Sequence, residues 1–456
     1  MRIRRQLGLW FVAGALSFWI YLVEHNPSYG KPSEGGQSPA GRLRTVGYEA
    51  RGVAQFSLQD SLTFEGDLVG IPQPTIDTVT VRSGSNSLKC DSGNVGNGGP
   101  SNARTKLTSE EAELGRTYFL RTYVNVPHNP TTTAGIINFL SATELGFDVR
   151  LTSEGKLQLF DSVGGTQIGS DSAVLITNQW YRVELSAKLA SGANDAAELR
   201  LDGVVVASGS DLTVSEDPIS EVWLGWADPG SPGANKLIYF DDVAWNDDQG
   251  ATQNSWPGEG KIILLKPISD NQRGSWTGGG GGTANLFDGV NNTPPIGSDV
   301  ETDLRQIKTN DGSGDNATDE YRANMTDYAT AGLSASDVVT LCQAVVSHGE
   351  AVSAGTKTGA FLILSNPVQT TPDTFTFGDN AGAFSSWPVG WRSKWGQAQY
   401  SPSVTLTTSP VLRVRKTDTG TRFGHVDFMG IYVEYRETVP VMQPMLGLFS
   451  PILVEP

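Results

Sequence analysis

Trp180-Tyr181-Arg182-Val183-Glu184-Leu185-Ser186, followed after a short break by Ala197-Glu198-Leu199-Arg200-Leu201-Asp202-Gly203-Val204-Val205-Val206, is the stretch that decides the fold. Side chains alternate between the two faces of a strand, so Trp180, Arg182 and Glu184 share one face and Tyr181, Val183 and Leu185 the other. Asp202-Gly203 between two such runs is a strong hairpin signal, because both residues tolerate the positive φ of a tight turn. The same alternation extends outward to Lys156–Phe160, Val222–Trp226 and Leu237–Trp245. Ser109–Gly115 is long enough for a helical turn or two at most. Many short strands joined by tight turns predict an antiparallel β-sandwich or jelly roll.

A second strand-rich block begins at Lys261-Ile262-Ile263-Leu264-Leu265. Val338–Ser347, Ala360–Leu364, Ser403–Thr407, Val411–Arg415 and Gly430–Tyr435 read as its further strands. The run Gly278–Gly282 has no neighbouring Lys or helix start and predicts a mobile loop rather than a phosphate cradle. The expected organisation is an N-terminal hydrophobic segment and linker over 1–58, sandwiches over 59–250 and 251–437, and a C-terminal arm over 438–456. The prolines at 440, 444, 451 and 456 oppose regular structure in that arm.

Composition narrows the function. Among 456 residues, 33 Lys+Arg stand against 49 Asp+Glu, a net charge of −16, which argues against a broad basic face for nucleic acid. Only 18% of residues are charged and 53 are Gly, as suits turn-rich sandwiches with Ser, Thr and Asn surfaces. Cys90 and Cys342 match no CxxC spacing and are expected as buried free thiols. His25, His128, His348 and His425 form no paired zinc pattern, and neither a P-loop nor a GxSxG elbow occurs.

Leu7–Val23 is uncharged and follows the basic Met1-Arg2-Ile3-Arg4-Arg5. It fits an uncleaved membrane anchor better than a cleaved signal, since no small-x-small site follows Val23. A hydrophobic assembly arm and translated sequence upstream of the true start are the other readings.

Asn178-Gln179-Trp180-Tyr181-Arg182-Val183-Glu184-Leu185, with the later Asp202-Gly203 hairpin, resembles the concanavalin-A-like or laminin-G-like jelly roll. The order of longer motifs is more distinctive. Leu62-Thr63-Phe64-Glu65-Gly66-Asp67, Val81-Arg82-Ser83-Gly84, Tyr239-Phe240-Asp241-Asp242-Val243 and Trp256-Pro257-Gly258-Glu259-Gly260-Lys261 resemble, in that order, tailed-bacteriophage virion proteins. In these a lectin-like jelly roll is joined to a second β domain, and Trp276-Thr277 and Asn285-Leu286-Phe287-Asp288 continue the likeness. The resemblance implies an all-β chain of two jelly-roll-like sandwiches in tandem. It implies a structural protein of the virion exterior, associated with capsid or tail, whose partners are other virion proteins, itself and host surface glycans.

The same resemblance implies calcium near the first and last strands, at Glu65 and Asp241. The alternative places Asp241 and Asp242 on a solvated edge strand, where charge discourages edge pairing. Sugar rings stack on aromatic faces, which makes Trp387, Trp391 and Trp226 the candidate glycan contacts. Trp223 and Trp245 lie on strands and are expected in the core. Glucanases on this fold carry Glu-x-Asp-x-x-Glu; here Glu65-Gly66-Asp67 begins the pattern but Gly70 replaces its last Glu. Glu110-Glu111-Ala112-Glu113 reads as a solvated turn. A non-enzymatic protein is therefore expected, with an exported or membrane-anchored bacterial glycan-binding protein as the alternative.

Overall fold

The computed structural model describes residues 44–46, 75–84, 87–93, 101–106, 112–141, 143, 146–162, 165–227, 232–248, 254–274, 276–278, 286–290, 307–308, 320–350, 358–376, 392–396, 399–417 and 424–438. The first strands are β1 Arg44–Val46, β2 Thr75–Asp77, β3 Ser87–Asp91, β4 Ser101–Lys106 and β5 Thr117–Asn125. Next come β6 Ala134–Ser141, β7 Gly146–Leu151, β8 Leu157–Asp161, β9 Thr166–Ile168 and β10 Trp180–Lys188. β11 Asp195–Leu201, β12 Val204–Leu212, β13 Ile219–Ala227 and β14 Leu237–Asp247 complete a first sandwich. The second uses β15 Lys261–Leu265, β16 Pro267–Gln272, β17 Thr277–Gly278, β18 Ile307–Lys308, β19 Glu320–Met325 and β20 Val338–Glu350. It ends with β21 Thr358–Ser365, β22 Asp373–Thr376, β23 Arg392–Trp395, β24 Gln399–Tyr400, β25 Val411–Lys416 and β26 Gly424–Arg436. The protein is all-β, with two sandwiches in tandem.

An eight-stranded sheet in the order β12-β11-β10-β5-β14-β3-β2, with β1 also on β14, faces a six-stranded sheet in the order β4-β13-β6-β7-β8-β9. Val183, Leu185 and Ala187 of β10 and Leu224 and Trp226 of β13 belong to the one buried core between the two sheets. In the second sandwich a seven-stranded sheet, β17-β18-β26-β20-β23 with β15 on β26 and β24 on β20, faces a five-stranded sheet, β16-β19-β25-β21-β22. Ile263, Cys342, Met429 and Val433 pack there against Tyr321, Phe361 and Leu412.

The hairpin read from sequence forms as expected: Asp202 and Gly203 have φ of 51° and 84°, and Leu201 pairs with Val204. Val338–Ser347 is a strand and extends to Glu350. Ser403–Thr407 is not. The side chain of Asn366 takes up that backbone instead, accepting from Thr405 N at 2.7 Å and donating to Thr405 O at 2.8 Å. Arg44–Val46, inside the expected linker, pairs with β14. Leu7–Val23, Gly279–Gly282 and the arm beyond Thr438 lie outside the described residues.

Both sandwiches belong to one compact unit, Ser38–Pro456. Outward residues of the seven-stranded sheet (Ile262, Leu264, Leu341, Val345, Phe428, Tyr432) form one buried cluster with Ala244 on the outer face of the eight-stranded sheet. The four sheets therefore stack as layers, and the outer faces of the six-stranded and five-stranded sheets are the two left at the ends of the stack.

Candidate functional site

Asp241 and Asp242 stand at the joint between the sandwiches. β14 is an interior strand between β5 and β3, so the expectation of a solvated edge is wrong; the two residues are 2% and 0% exposed. A bulge against β5 falls here, and Asp242 has φ of 49°. Two residues rather than one separate the inward Phe240 and Val243, which lets both carboxylates leave the core. Asp242 Oδ1 accepts from Ile262 N of the second sandwich at 2.6 Å, and Arg82 pairs with Asp242 Oδ2. Arg82 also donates to Gly260 O at 2.9 Å and lies over the Tyr123 ring.

Asp241 accepts from Arg82 N at 2.8 Å, Ser83 N at 3.3 Å and Asp242 N at 2.7 Å. Burial first, and then the Asp242 carboxylate, push its carboxyl well above the usual range. Both its oxygens accept from amide N–H groups. Glu65 lies outside the described residues, and no three His, Cys, Asp or Glu side chains gather into a cation site among the described residues. Asp241 ties the Arg82-Ser83 turn to the bulge.

The six-stranded sheet presents a different surface. Register aligns Trp223 of β13 with Asn138 of β6, Asn138 with Asp148 of β7, Asp148 with Phe160 of β8, and Phe160 with Gln167 of β9. Their neighbours in sequence, Leu224, Ile137 and Phe139, Phe147 and Val149, Leu159 and Ile168, all point into the core. The row therefore occupies the outer face by simple alternation. Asn138 Nδ2 donates to Asp148 Oδ1 at 2.7 Å, and Arg150 Nη2 to Asp148 Oδ2 at 3.0 Å. The Arg150 guanidinium lies 3.8 Å from the centre of the Phe160 ring. Trp223 Nε1 donates to Glu221 at 2.9 Å.

Asp148 is fully buried, and burial pushes its carboxyl up to about 6 against the pull of Arg150 and Asn138. Around this buried floor runs a polar rim, half-buried at Lys156, Gln158 and Gln167 and exposed at Asp171. Gln158 and Gln167 both donate to Asp171 Oδ1 at 2.8 Å, holding that carboxyl below its usual range, and Lys156 lies 3.6 Å from Asp171. Amides, a carboxylate and aromatic rings fixed on one sheet face can meet the hydroxyls and apolar CH faces of a sugar.

The expected glycan contacts are not these residues. Trp226 is fully buried in the first core, with Nε1 donating to Lys236 O at 2.9 Å, and offers no face to a ligand. Trp387 and Trp391 lie outside the described residues. Trp245 and Trp223 are both buried, as expected of them: Trp245 in the first core, and Trp223, 8% exposed, on the other face of its sheet in a small buried cluster with Leu140 and Ala227. The signal for the row was the alternation in Gly146–Leu151, where Asp148 and Arg150 interleave with Phe147, Val149 and Leu151.

No family model matches the chain, and no curated protein does. Among solved structures it is similar to an endo-β-1,4-glucuronan lyase from the fungus Trichoderma reesei, at 14% identity and a TM-score of 0.29, covering 38% of this chain and 85% of that one. An alginate lyase, Aly36B, matches at 13% identity and a TM-score of 0.31, covering 44% and 96%. Trypanosoma rangeli sialidase matches at 16% and 0.27, covering 38% of this chain and 27% of that one. With two lyases and a sialidase among the neighbours, the expectation of a non-enzymatic protein is corrected and the exclusion of catalysis withdrawn. At these identities and TM-scores the likeness assigns no reaction and no substrate. The phage resemblance rests on motif order alone.

Proposed function

We propose that the chain is an exterior component of an assembly, of the tailed-phage virion kind its motif order resembles, and that it contacts surface glycans through the outer face of the six-stranded sheet. The observation that carries the glycan reading is the Trp223–Asn138–Asp148–Phe160–Gln167 row, in register across five strands. Phe160, Gln158, Gln167 and Asp171 supply the accessible contacts, and the bonded Asn138–Asp148–Arg150 floor holds the sheet surface in one arrangement.

Binding of the full chain to a glycan array, repeated with Gln158→Ala/Gln167→Ala and with Phe160→Ala, tests the face. Loss of the bound spots in both variants is expected, and unchanged binding would remove this surface from consideration. The same saccharides are followed for cleavage. The assembly reading predicts the protein in mass spectra of purified particles, and its absence there would overturn it. The apolar Leu7–Val23 segment favours a second reading, a membrane-anchored glycan-binding protein, which predicts membrane fractionation and release on deleting residues 1–25.

A further inference from the structure

We propose that the outer face of the five-stranded sheet binds a tetrahedral oxyanion, phosphate or sulfate, between Arg322, Arg413 and Arg415. Tyr321 and Ala323 of β19 and Leu412 and Val414 of β25 point into the second core. Alternation then sends Glu320 and Arg322, with Arg413 and Arg415, to the opposite face. Register sets Glu320 opposite Arg415, and Arg322 opposite Arg413, in one compact block. Three guanidiniums and one carboxylate thus stand on this block, on a chain whose net charge is −16.

Glu320 does not neutralise the block evenly. Its carboxylate bonds along its own strand to Arg322 Nε at 2.6 Å and reaches Arg413 Nη1 diagonally at 3.4 Å. The side chain of Arg415, directly across from it, makes no hydrogen bond or ion pair among the described residues, and its Nε is buried without a partner. Arg413 Nε is in the same condition. Burial, set against Glu320, and then the charges of Arg415 and Arg322 pull the Arg413 guanidinium below its usual range.

Like charges on neighbouring strands oppose each other, and unpaired buried N–H groups cost free energy. An anion placed among them relieves both. Three donors converging from two strands match the oxygens of a tetrahedral anion, whereas a carboxylate is already satisfied by one guanidinium fork. Ala360 and Leu362 of β21, opposite Arg415 and Arg413, are 1% and 8% exposed and form an apolar floor on which the arginine stems can rest. This face is distinct from the saccharide face and does not depend on that reading.

The test is calorimetric titration of the full chain, at low ionic strength, with sodium phosphate, with sodium sulfate, and with sodium chloride at matched ionic strength. Saturable binding of phosphate or sulfate over chloride is expected, weakened at least about tenfold in Arg415→Gln because one charge-assisted pair is lost. Arg322→Gln, on the neighbouring strand, provides a second variant with the same expected direction. A sulfated heparin oligosaccharide separates the sources: tighter binding than inorganic sulfate assigns the site to an esterified polymer, and equal or weaker binding to the free ion. No saturable binding, or binding unaltered in both variants, overturns the proposal. So does self-association that is insensitive to phosphate but lost in Arg415→Gln, which would make the block a protein interface.

Discussion

Arg121 on β5 of the first sandwich and Glu434 on β26 of the second form an ion pair away from solvent, with side-chain exposures of 0% and 4%. Arg121 also donates from Nε to Asp242 O at 3.1 Å and from Nη1 to Gly258 O at 3.2 Å. It thereby joins the β14 bulge, the connecting segment and the second sandwich. Removing one member of a buried pair strands the other charge, at a cost of about 3–5 kcal/mol. Glu434→Leu is expected to lose stability on that scale in urea unfolding. The double variant Arg121→Met/Glu434→Leu is expected to lose at least about 1 kcal/mol less than the sum of the single changes, because neither charge is then stranded.

Gly260 lies against this pair. A methyl group there would fall 2.6 Å from Glu434 Oε1 and closer still to Arg121 Nη1. Gly260→Ala is expected to destabilise by about 1–3 kcal/mol, as overpacking of a filled site does. The midpoint of urea unfolding checks this, and a neutral result would show that the two side chains can part without loss.

Asp148 gives stability a pH dependence of known sign. Well below its unfolded pKa of 3.8 the carboxyl is protonated in folded and unfolded chains alike and contributes nothing. As pH rises the unfolded chain loses the proton first, while the folded chain keeps it to about 6. The unfolded state then binds fewer protons, so this group's contribution falls through that window and is level above it. Asp148→Asn cannot ionise, and its stability relative to the parent is expected to rise between about pH 4 and pH 6 by on the order of 2–3 kcal/mol. Thermal melts across that range measure the difference.

Both thiols are buried and free, and burial is the main cause that raises them: Cys342 to about 12, and Cys90 higher still with help from the Asp91 charge. The thiolate is the reactive form, so neither is expected to label with a soluble thiol reagent in the folded chain at pH 8. Both are expected to label at once in denaturant. Labelling of either in the native state would show an opening not present in this structure.

Local alternation made much of the fold legible. Trp180–Ser186 and the Asp202-Gly203 turn specified a strand pair and its facing, because side-chain period and positive-φ preference are properties of neighbours in the chain. The failure at Ser403–Thr407 has a non-local cause, since the partner that takes its backbone is the side chain of Asn366.

By itself, then, the sequence determined an all-β chain, two strand-rich blocks and the inward face of most strands. Tertiary structure decided what each outward face meets. Outward Arg121 and Glu434 are buried because one sandwich lies against the other. Outward Asp148 and Arg150, and likewise Arg413 and Arg415, stand at the two ends of the stack. Trp226 and Trp223, on opposite faces of β13, show the same division: one fills the first core, and the other is buried in a separate small cluster with Leu140 and Ala227. Alternation says which side of a sheet a residue occupies, but only the packing of sheets says whether that side is core, joint or surface.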